Sequence, residues 1–392
     1  MLIGLDAIPL TEPRTGVGHY TFELARALAF VSPADEFELA YPSTYAPVGD
    51  GGNGSPPSGE SAPAALPDNL KVARVPVGLL GRHWWAAGLP RYAARRGFGI
   101  FHGTNYEVPL WGRCARVVTV HDLSLLLRPE THEQSRVRRA RRRLPLMARA
   151  ADACITPTES ARREVCEHLG LARAKVFVVP EAARTVFRPL AFEATEDVRR
   201  RLGVGEEFLL AVGTVEPRKN LPALVHAFEE LARLHPSGRL QLVVVGNRGW
   251  KSEPVFARLE SSPFKDRIIF TGYVADETLR ALYASCRAFV YPSLYEGFGL
   301  PPLEAMACGA PVVASRIPAI SEVTGGAALL FDPEERGDLT RRLVELLADE
   351  QGRRELSAAG LSRASRFSWE RAALETLEVY GEALERKAKG KR

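Results

Sequence analysis

AFVYPSLYEGFGLPPLEAMACGAPVVAS, residues 288–315, has the pattern of a strand, a loop, a helix and a second strand. The first apolar run ends near Tyr291, and a glycine-bearing loop follows it. Pro301 and Pro302 predict the start of a helix, because the first helical turn tolerates proline. Gly309 supplies a natural helix stop, and the apolar run after it predicts another strand. A strand–helix–strand unit of this kind is typical of a parallel α/β sheet.

Short runs rich in Val, Ile and Phe alternate with longer amphipathic segments along the whole chain, which predicts an α/β fold. The runs that predict strands are LIGLDA, FELAY, LKVARV, GIFHG, RVVTVHD and KVFVVP, then FLLAVG, LQLVVVG, RIIFTG, AFVYPS, PVVAS and ALLFD. Two such series predict two doubly wound, Rossmann-like domains rather than one long sheet. We expect domains at residues 1–190 and 191–368 and a closing amphipathic helix at 369–392. Residues 46–67 are rich in Gly, Ser and Pro and predict a flexible surface loop.

The composition is that of a globular protein without a membrane span. With 392 residues, 46% of them hydrophobic, the chain can form two or three domains with sizeable cores. No apolar run approaches the roughly 18 residues that cross a bilayer, and the N-terminus lacks the basic region of a signal peptide. The five cysteines form neither a metal knuckle nor a disulfide framework, which favours a cytoplasmic location. The formal charge of +5 suits an anionic ligand or surface but does not indicate nucleic acid.

The loop before the helix of the opening segment predicts an anion site. It brings the backbone amides of Phe298, Gly299 and Leu300 to a helix N-terminus, where negative charge is favoured. Glu296 and Glu304 flank these amides, and a carboxylate accepts hydrogen bonds from the paired hydroxyls of a sugar or a ribose. Two solvated glutamates are the alternative, but the Gly-Phe-Gly-Leu-Pro context favours a ligand site.

The segment GTVEPRKN, residues 213–220, predicts a diphosphate site. It begins at Gly213, where a buried strand runs into a turn, and a helix follows at Leu221. Arg218 and Lys219 precede the positive end of that helix. Arginine can bind two phosphate oxygens as a fork and lysine acts as a point charge, so the pair can also stabilise a departing diphosphate. A solvated surface pair is the alternative.

Other candidate ligands lie at a helix start and at strand ends of the first half. Gly16 and Gly18 open a helix, where glycine lets the backbone approach a phosphate or sugar; a plain tight turn is the alternative. Their spacing is not that of the GxGxxG dinucleotide fingerprint. His121 follows a predicted strand at the edge where ligands bind, and a purely structural histidine is the alternative. His102 and Asn105 follow a neighbouring strand and are candidate acceptor contacts.

The segment QSRVRRARRRLPLMARAAD predicts a basic amphipathic helix with six arginines in residues 136–143. Val137, Ala140, Leu144 and Met147 form a narrow apolar stripe along it. The pattern suits contact between Arg136–Arg143 and an anionic membrane or a lipid-diphosphate acceptor. The alternative is a solvated helix that packs its stripe on the domain.

Taken together, these segments resemble glycosyltransferase family 4, whose members have the GT-B architecture of two Rossmann-like domains facing across a cleft. EGFGLPPLE matches the E-x7-E signature of the family, and GTVEPRKNL, TGVGHYTFEL, GYVADETLRALYASCRAFVYPS and the closing FSWE extend the likeness over nearly the whole chain. HDLSLLLRPETH and GTVEPRKNL look most like bacterial O-antigen mannosyltransferases. A departure is Ala182, where relatives often carry glycine, and it puts the hinge geometry in doubt.

The resemblance implies roles for these residues. The C-terminal domain would bind a nucleotide-diphosphate sugar, the N-terminal domain would bind the acceptor, and the closing helix would cross back to brace the N-terminal domain. Arg218 and Lys219 would bind the diphosphate and Glu304 the ribose, while Glu296 and nearby amides would hold the sugar. His121 would contact the sugar or phosphate near the reacting centre. The expected donor contacts are Gly16, Gly18, Gly213, Arg218, Lys219, Tyr273, Val274, Glu296, Gly297, Phe298, Gly299, Leu300 and Glu304.

The resemblance also implies a retaining transferase that uses no metal and no cofactor. We favour front-face substitution, with the leaving diphosphate taking the acceptor proton, over double displacement through Glu296. The expected donor is GDP-mannose and the expected acceptor a glycan or lipid-linked glycan of cell-surface polysaccharide synthesis. A UDP-sugar-dependent transferase, a nucleotide-sugar epimerase and a non-catalytic membrane-surface binding protein remain as alternatives.

Overall fold

The computed structural model describes residues 1–11, 16–48, 66–78, 83–234 and 238–390. The chain divides into two compact units, each built on a parallel sheet. The N-terminal unit contains Met1–Leu126, Ser135–Glu181 and Ser368–Arg392, and the C-terminal unit contains Leu127–Gln134 and Ala182–Phe367. The prediction of two doubly wound, Rossmann-like domains is confirmed. Most of the surface loop predicted at residues 46–67 lies outside the described residues.

The N-terminal unit is built on a seven-stranded sheet. Its strands are β1 (Leu2–Asp6), β2 (Glu36–Pro42), β3 (Leu70–Val75), β4 (Ile100–Gly103), β5 (Ala115–Thr119), β6 (Ala153–Thr156) and β7 (Val176–Val178). They lie in the order β3-β2-β1-β4-β5-β6-β7, and the neighbouring strands pair in parallel. The apolar runs of the sequence predict these strands except β6, whose residues ACIT include only one Val, Ile or Phe and so do not form a recognisable run.

Helices cover this sheet, and the last helix of the chain is one of them. The helices of the N-terminal part are α1 (Gly16–Val31), α2 (Leu89–Arg96), α3 (Ser124–Leu127), α4 (Gln134–Ala150), α5 (Glu159–Leu169) and α14 (Trp369–Lys389). Within the N-terminal unit, the Tyr380 hydroxyl of α14 lies 2.8 Å from His102 Nδ1 of β4. The ring of Trp369 lies 6.0 Å from that of Tyr20 in α1. The closing helix therefore belongs to the N-terminal unit, as the family resemblance implies.

The C-terminal unit is built on a six-stranded sheet in the order β10-β9-β8-β11-β12-β13. Its strands are β8 (Phe208–Val212), β9 (Gln241–Val245), β10 (Ile268–Gly272), β11 (Ala288–Tyr291), β12 (Val312–Ser315) and β13 (Leu329–Phe331). Its helices are α6 (Glu196–Arg201), α7 (Leu221–Leu234), α8 (Glu253–Glu260), α9 (Asp276–Ser285), α10 (Leu300–Ala307), α11 (Pro318–Thr324), α12 (Asp338–Ala348) and α13 (Glu350–Ala364). Apolar side chains on both faces of the sheet form two buried clusters, as both faces of a parallel sheet require.

The strand order of the C-terminal sheet reverses between β8 and β11. In doubly wound sheets, ligands bind at the carboxyl ends of the strands that flank such a point. β8 and β11 pair in parallel, with Leu209 opposite Ala288 and Leu210 opposite Phe289, so their carboxyl ends lie at the same edge. This edge carries Gly213, which follows β8, and the loop that follows Tyr291.

The division of the chain differs from the boundary expected at residue 190. It falls between Glu181 and Ala182, because Phe187 is buried in the apolar cluster of the C-terminal unit. The short segment Leu127–Gln134, expected in the first domain, also belongs to the C-terminal unit.

The loop after β9 holds the segment Leu127–Gln134 in the C-terminal unit. Trp250 Nε1 donates a 2.7 Å hydrogen bond to the Thr131 carbonyl, and its ring stacks on His132 at 5.8 Å. Lys251 Nζ donates to the Glu130 carbonyl at 2.8 Å. These contacts involve main-chain carbonyls of the segment, so its sequence gives little indication of where it docks.

The arginine-rich helix α4 packs its apolar stripe inward. Val137, Ala140, Leu144 and Met147 are all buried. The stripe is therefore part of the core of the N-terminal unit and is not exposed to a bilayer. This agrees with the alternative in which the helix packs its stripe on the domain. Arginine side chains of the helix cover its outer face; Arg136, Arg138, Arg139, Arg141 and Arg142 are exposed. Among the helices described, none has the length and hydropathy to cross a membrane.

Candidate active site

Three of the predicted donor residues meet in one partly buried ion cluster of the C-terminal unit. Glu296 Oε2 accepts a 2.7 Å hydrogen bond from Arg218 Nη1, and its Oε1 accepts one of 2.6 Å from Lys219 Nζ. The hydroxyl of Tyr291 lies 2.7 Å from Lys219 Nζ and 2.9 Å from Glu296 Oε1. On its other side, Arg218 Nη2 donates to Glu216 Oε1 at 2.6 Å. Two cations and two carboxylates therefore share one site.

The charges in this cluster stabilise each other. Burial alone would raise the pKa of Glu296, but Arg218 and Lys219 outweigh burial and lower the pKa to about 2. Burial lowers the pKa of Lys219, while Glu296 acts in the opposite direction. Burial raises the pKa of Glu216, which Arg218 partly offsets. A dianionic ligand that reaches the two cations therefore meets a group of side chains whose formal charges already balance.

Local backbone geometry sets the positions of these side chains. Arg218 and Lys219 lie in a 3-10 turn, Pro217–Lys219, between β8 and α7. Asn220 ends that turn in the left-handed region, at φ 51°, and α7 begins at the next residue. The Leu294 amide donates a 2.9 Å hydrogen bond to the Arg218 carbonyl, which joins this turn to the loop carrying Glu296.

The predicted anion site lies at the start of α10. Gly299 precedes the helix at φ 116°, and a Cβ added there would lie 2.5 Å from Ile320 Cδ1, so glycine is required on both counts. The helix begins at Leu300, and the amides of Phe298, Gly299 and Leu300 therefore lie at its N-terminus. Gly297 lies beside Glu296 in the same loop, whereas the Phe298 side chain is buried and packs on the ring of Phe367 at 6.0 Å.

Glu304 lies inside α10 and has a separate set of partners. Its Oε1 lies 3.6 Å from Arg184 Nε, and its Oε2 accepts a 3.4 Å hydrogen bond from the Tyr283 hydroxyl. Arg184 also forms an ion pair with Asp276 at the start of α9. Burial raises the pKa of Glu304 to about 7, although Arg184 acts in the opposite direction. The two signature glutamates thus differ in the direction of their pKa shifts as well as in their partners.

The remaining donor candidates of the C-terminal unit lie near the same edge of the sheet. Gly213 follows β8 directly and adopts φ 144°. Tyr273 and Val274 follow β10; the Tyr273 side chain is exposed, whereas Val274 packs against the apolar cluster. Gly16 and Gly18 belong to the N-terminal unit, where they form the first turn of α1.

His121 lies in the N-terminal unit with both ring nitrogens occupied. Nδ1 lies 3.0 Å from Glu181 Oε1, and Nε2 lies 2.9 Å from the Thr104 carbonyl. Both partners are acceptors, so this geometry suits the doubly protonated, charged ring. Burial would lower the pKa of His121, but Glu181 and the other acceptors outweigh it and raise the pKa. The structure therefore supports a positively charged side chain at this position.

His102 and Asn105, the acceptor candidates, differ in accessibility. His102 is fully buried, and its Nε2 lies 2.8 Å from Thr119 Oγ1 while Nδ1 faces Tyr380. Burial lowers its pKa to about 3, so the ring is neutral and both nitrogens are engaged. The side chain has a structural role in this arrangement, and an acceptor contact at His102 stays a prediction. Asn105 is half-buried in the loop after β4.

Several side chains that complete the site were not among the sequence candidates. Glu216 and Tyr291 flank the paired cations, Arg184 holds Glu304, and Glu181 holds His121. Glu216 precedes Arg218 by two residues and Tyr291 ends the strand before Glu296, so proximity in sequence gives a usable signal for both. Arg184 and Glu181 are far from their partners in sequence and give no such signal.

The chain is similar to glycosyltransferases over both units. The family described as Glycosyltransferase Family 4 matches residues 14–185, and Glycosyl transferases group 1 matches residues 194–363. The O-antigen chain mannosyltransferase B of Escherichia coli is 31% identical over 377 residues, which cover 95% of this chain and 97% of that protein.

Solved glycosyltransferase structures share the fold. Sucrose-phosphate synthase from Thermosynechococcus elongatus is 22% identical, with a TM-score of 0.75 over 97% of this chain and 98% of that one. HepE from Anabaena, solved in complex with UDP and glucose, is 20% identical, with a TM-score of 0.71 over 96% and 98%. The fold and these likenesses define a glycosyltransferase of GT-B architecture. Within that class, the chain belongs to glycosyltransferase family 4 and resembles the O-antigen mannosyltransferases.

Proposed function

We propose that this glycosyltransferase moves mannose from GDP-mannose to a glycan or lipid-linked acceptor in cell-surface polysaccharide synthesis. The observation that carries the donor class is the pair of partly buried cations, Arg218 and Lys219, beside the N-terminus of α10. Two cations beside the backbone amides of a helix N-terminus suit a diphosphate. The choice of mannose is supported by the Escherichia coli relative, which is named as a mannosyltransferase.

In the proposed complex the diphosphate takes over contacts that Glu296 makes in the structure. Arg218 and Lys219 then pair with phosphate oxygens, and Glu296 accepts hydrogen bonds from hydroxyls of the transferred sugar. Glu304 accepts hydrogen bonds from the ribose hydroxyls, and backbone near Tyr273 and Val274 meets the base. Gly213 and the amides at the start of α10 allow close approach of the ligand to the backbone.

We further propose that the reaction retains the anomeric configuration and proceeds by front-face substitution. The bond from the anomeric carbon to the diphosphate oxygen breaks, and the bond to the acceptor oxygen forms on the same face. The acceptor oxygen attacks the anomeric carbon directly, so no protein nucleophile is required, and its proton passes to the departing diphosphate, so no protein base is required. The charges of Arg218 and Lys219 stabilise the diphosphate as it leaves, which is the role that a metal ion serves in other transferases.

The proposed function is tested by ligand-dependent stability. Thermal unfolding is measured with GDP, UDP and ADP; a diphosphate at about 100 times its dissociation constant adds about 2.7 kcal/mol to the free energy of unfolding. We expect stabilisation by GDP, followed by turnover of GDP-mannose in an assay for released GDP. Stabilisation by UDP but not GDP would refute GDP-mannose as donor. Conversion of the sugar without an acceptor would instead indicate an epimerase or a hydrolase.

We also propose that the exposed arginines of α4 hold the protein at an anionic membrane surface on the cytoplasmic side. Because the apolar stripe of α4 is buried, the contact with the membrane would be electrostatic. Binding to vesicles with anionic lipid should therefore weaken as the salt concentration rises. Flotation with such vesicles is the measurement, and vesicles of neutral lipid are the control. Absence of binding at low salt contradicts the proposal.

A further inference from the structure

We propose that a cavity of the N-terminal unit, between α4 and the loop after β4, binds a saccharide that carries a phosphate. This inference rests on the proposed function, since the ligand would be the acceptor of the transferred sugar. The cavity has a volume of about 360 Å³, and its lining includes Ile8, Trp84, Trp85, Glu107, Arg139 and Arg143. That volume lies at the small end of the range for ligand pockets, which suits one sugar residue with its phosphate.

The position of the cavity in the sheet is the first argument. The order of the N-terminal strands reverses between β1 and β4. Ile8 follows β1, Glu107 follows β4, and both line the cavity. It therefore lies at the carboxyl edge of the strands that flank the switch point, where ligands of doubly wound domains bind.

Charge is the second argument. Arg139 and Arg143 lie one helical turn apart on α4, so both reach the cavity. Arg143 Nη2 forms a 2.6 Å ion pair with Glu107 Oε1, which leaves the charge of Arg139 in excess. Burial raises the pKa of Glu107, although the two arginines oppose the shift. The cavity thus carries a net positive charge in a form suited to phosphate oxygens.

The aromatic wall is the third argument. Trp84 and Trp85 begin a π-helical turn, Trp84–Gly88, a rare form that is frequent at functional sites. The Trp85 carbonyl accepts a 3.1 Å hydrogen bond from the amide of Leu110, which also lines the cavity. Trp84 is 5% exposed, and its indole N–H has no hydrogen-bond partner among the described residues. Aromatic walls with a few convergent polar groups are typical of small-ligand sites.

The arginines of α4 provide a matched control. Arg138 and Arg142 have the same spacing on the same helix as Arg139 and Arg143, but do not line the cavity. Isothermal titration of the full chain with α-mannose 1-phosphate compares R139Q/R143Q with R138Q/R142Q, which lose the same charge. We expect about tenfold weaker binding in R139Q/R143Q and less than about twofold change in R138Q/R142Q. Methyl α-mannoside, which lacks the phosphate, should bind equally to both.

Three results would overturn the proposal: no binding to the unaltered protein, equal weakening in both arginine pairs, or no weakening in R139Q/R143Q. Loss of binding in K219Q alone would place the probe in the donor site and would overturn it as well. If R139Q/R143Q does not fold, R139Q keeps the Arg143–Glu107 pair, and we expect a several-fold loss there. Failure of the proposed function has a different signature, because GDP would then not stabilise the protein while the probe still binds.

Discussion

Replacement of Glu296 by glutamine should tighten GDP binding and slow sugar transfer. In the structure the Glu296 carboxylate contacts both Arg218 and Lys219, at 2.7 and 2.6 Å. GDP lacks the transferred sugar that Glu296 would hold, so the carboxylate only competes with its diphosphate for the two cations. Glutamine keeps the size of the side chain and removes its charge, which leaves one positive charge in excess for the diphosphate.

The size of the effect follows from the pKa of Glu296. A shift from the ordinary value of 4.5 to about 2 corresponds to about 3 kcal/mol, at about 1.4 kcal/mol per pKa unit. This is the upper limit of what the diphosphate gains when the competition is removed. Because the glutamine amide still occupies the site, we expect about half of it, which is about a tenfold lower dissociation constant for GDP.

The same shift predicts a change in stability with pH. The folded-state pKa of Glu296 is below its unfolded-state value, so its stabilising contribution is present above about pH 4.5 and is lost as the pH falls towards 2. E296Q should therefore be less stable than the unaltered protein at neutral pH by about 3 kcal/mol at most, with the difference vanishing in acid.

Isothermal titration with GDP measures the affinities, and thermal unfolding shows that each variant is folded. Y291F is the control, because it removes a hydroxyl that contacts both Glu296 and Lys219 but leaves every charge in place. We expect its GDP affinity to change by less than about twofold. A folded E296Q that binds GDP no more tightly than the unaltered protein would refute the competition between carboxylate and diphosphate.

Three further perturbations test other contacts. GDP affinity should rise as the pH rises through about 7, because burial raises the pKa of Glu304 to about 7 and only the ionised carboxylate accepts from both ribose hydroxyls. The rise should be steeper in the unaltered protein than in E304Q. Titrations with GDP at several pH values measure the two slopes, and equal slopes would contradict the contact with Glu304. E181Q should lower the pKa of His121, since Glu181 is the carboxylate that raises it; an NMR titration of the ring protons measures the shift, and an unchanged pKa would exclude the pair. W250F loses the 2.7 Å hydrogen bond to the Thr131 carbonyl and should lower the free energy of unfolding by about 1 kcal/mol; urea unfolding measures the loss, and an unchanged midpoint would show that the contact contributes nothing.

The sequence predicts the sheets well because strands of a parallel sheet are buried on both faces and appear as apolar runs. FLLAVG and LQLVVVG correspond to β8 and β9 with small differences at the ends. β6 is missing from the prediction because its residues ACIT include only one Val, Ile or Phe. The boundary between the two units is less predictable, since the burial of Phe187 in the apolar cluster of the C-terminal unit depends on contacts with residues far along the chain.

The sequence also predicts which residue types form the site, but not how they pair. Arg218 and Lys219 were expected to be available to a diphosphate, whereas in the structure Glu296 occupies both. That pairing joins two loops that follow different strands of the sheet, so no local pattern contains it. The contact between Arg184 and Glu304 is of the same kind. Local patterns predict the helix start and the glycines, because those depend on neighbouring residues only.

The neutral state of the ion cluster bears on how the donor is selected. When a nucleoside diphosphate binds Arg218 and Lys219, it displaces Glu296. Its gain in binding free energy is therefore only the difference between its own contacts with the two cations and the contacts that Glu296 already makes. An intact nucleotide sugar recovers part of that difference, because its sugar hydroxyls give Glu296 new partners. The exchange therefore favours the donor over the free diphosphate, which helps the product to leave. Glu296 then contributes to turnover by competing for the cations, and it does so without forming a covalent bond to the sugar.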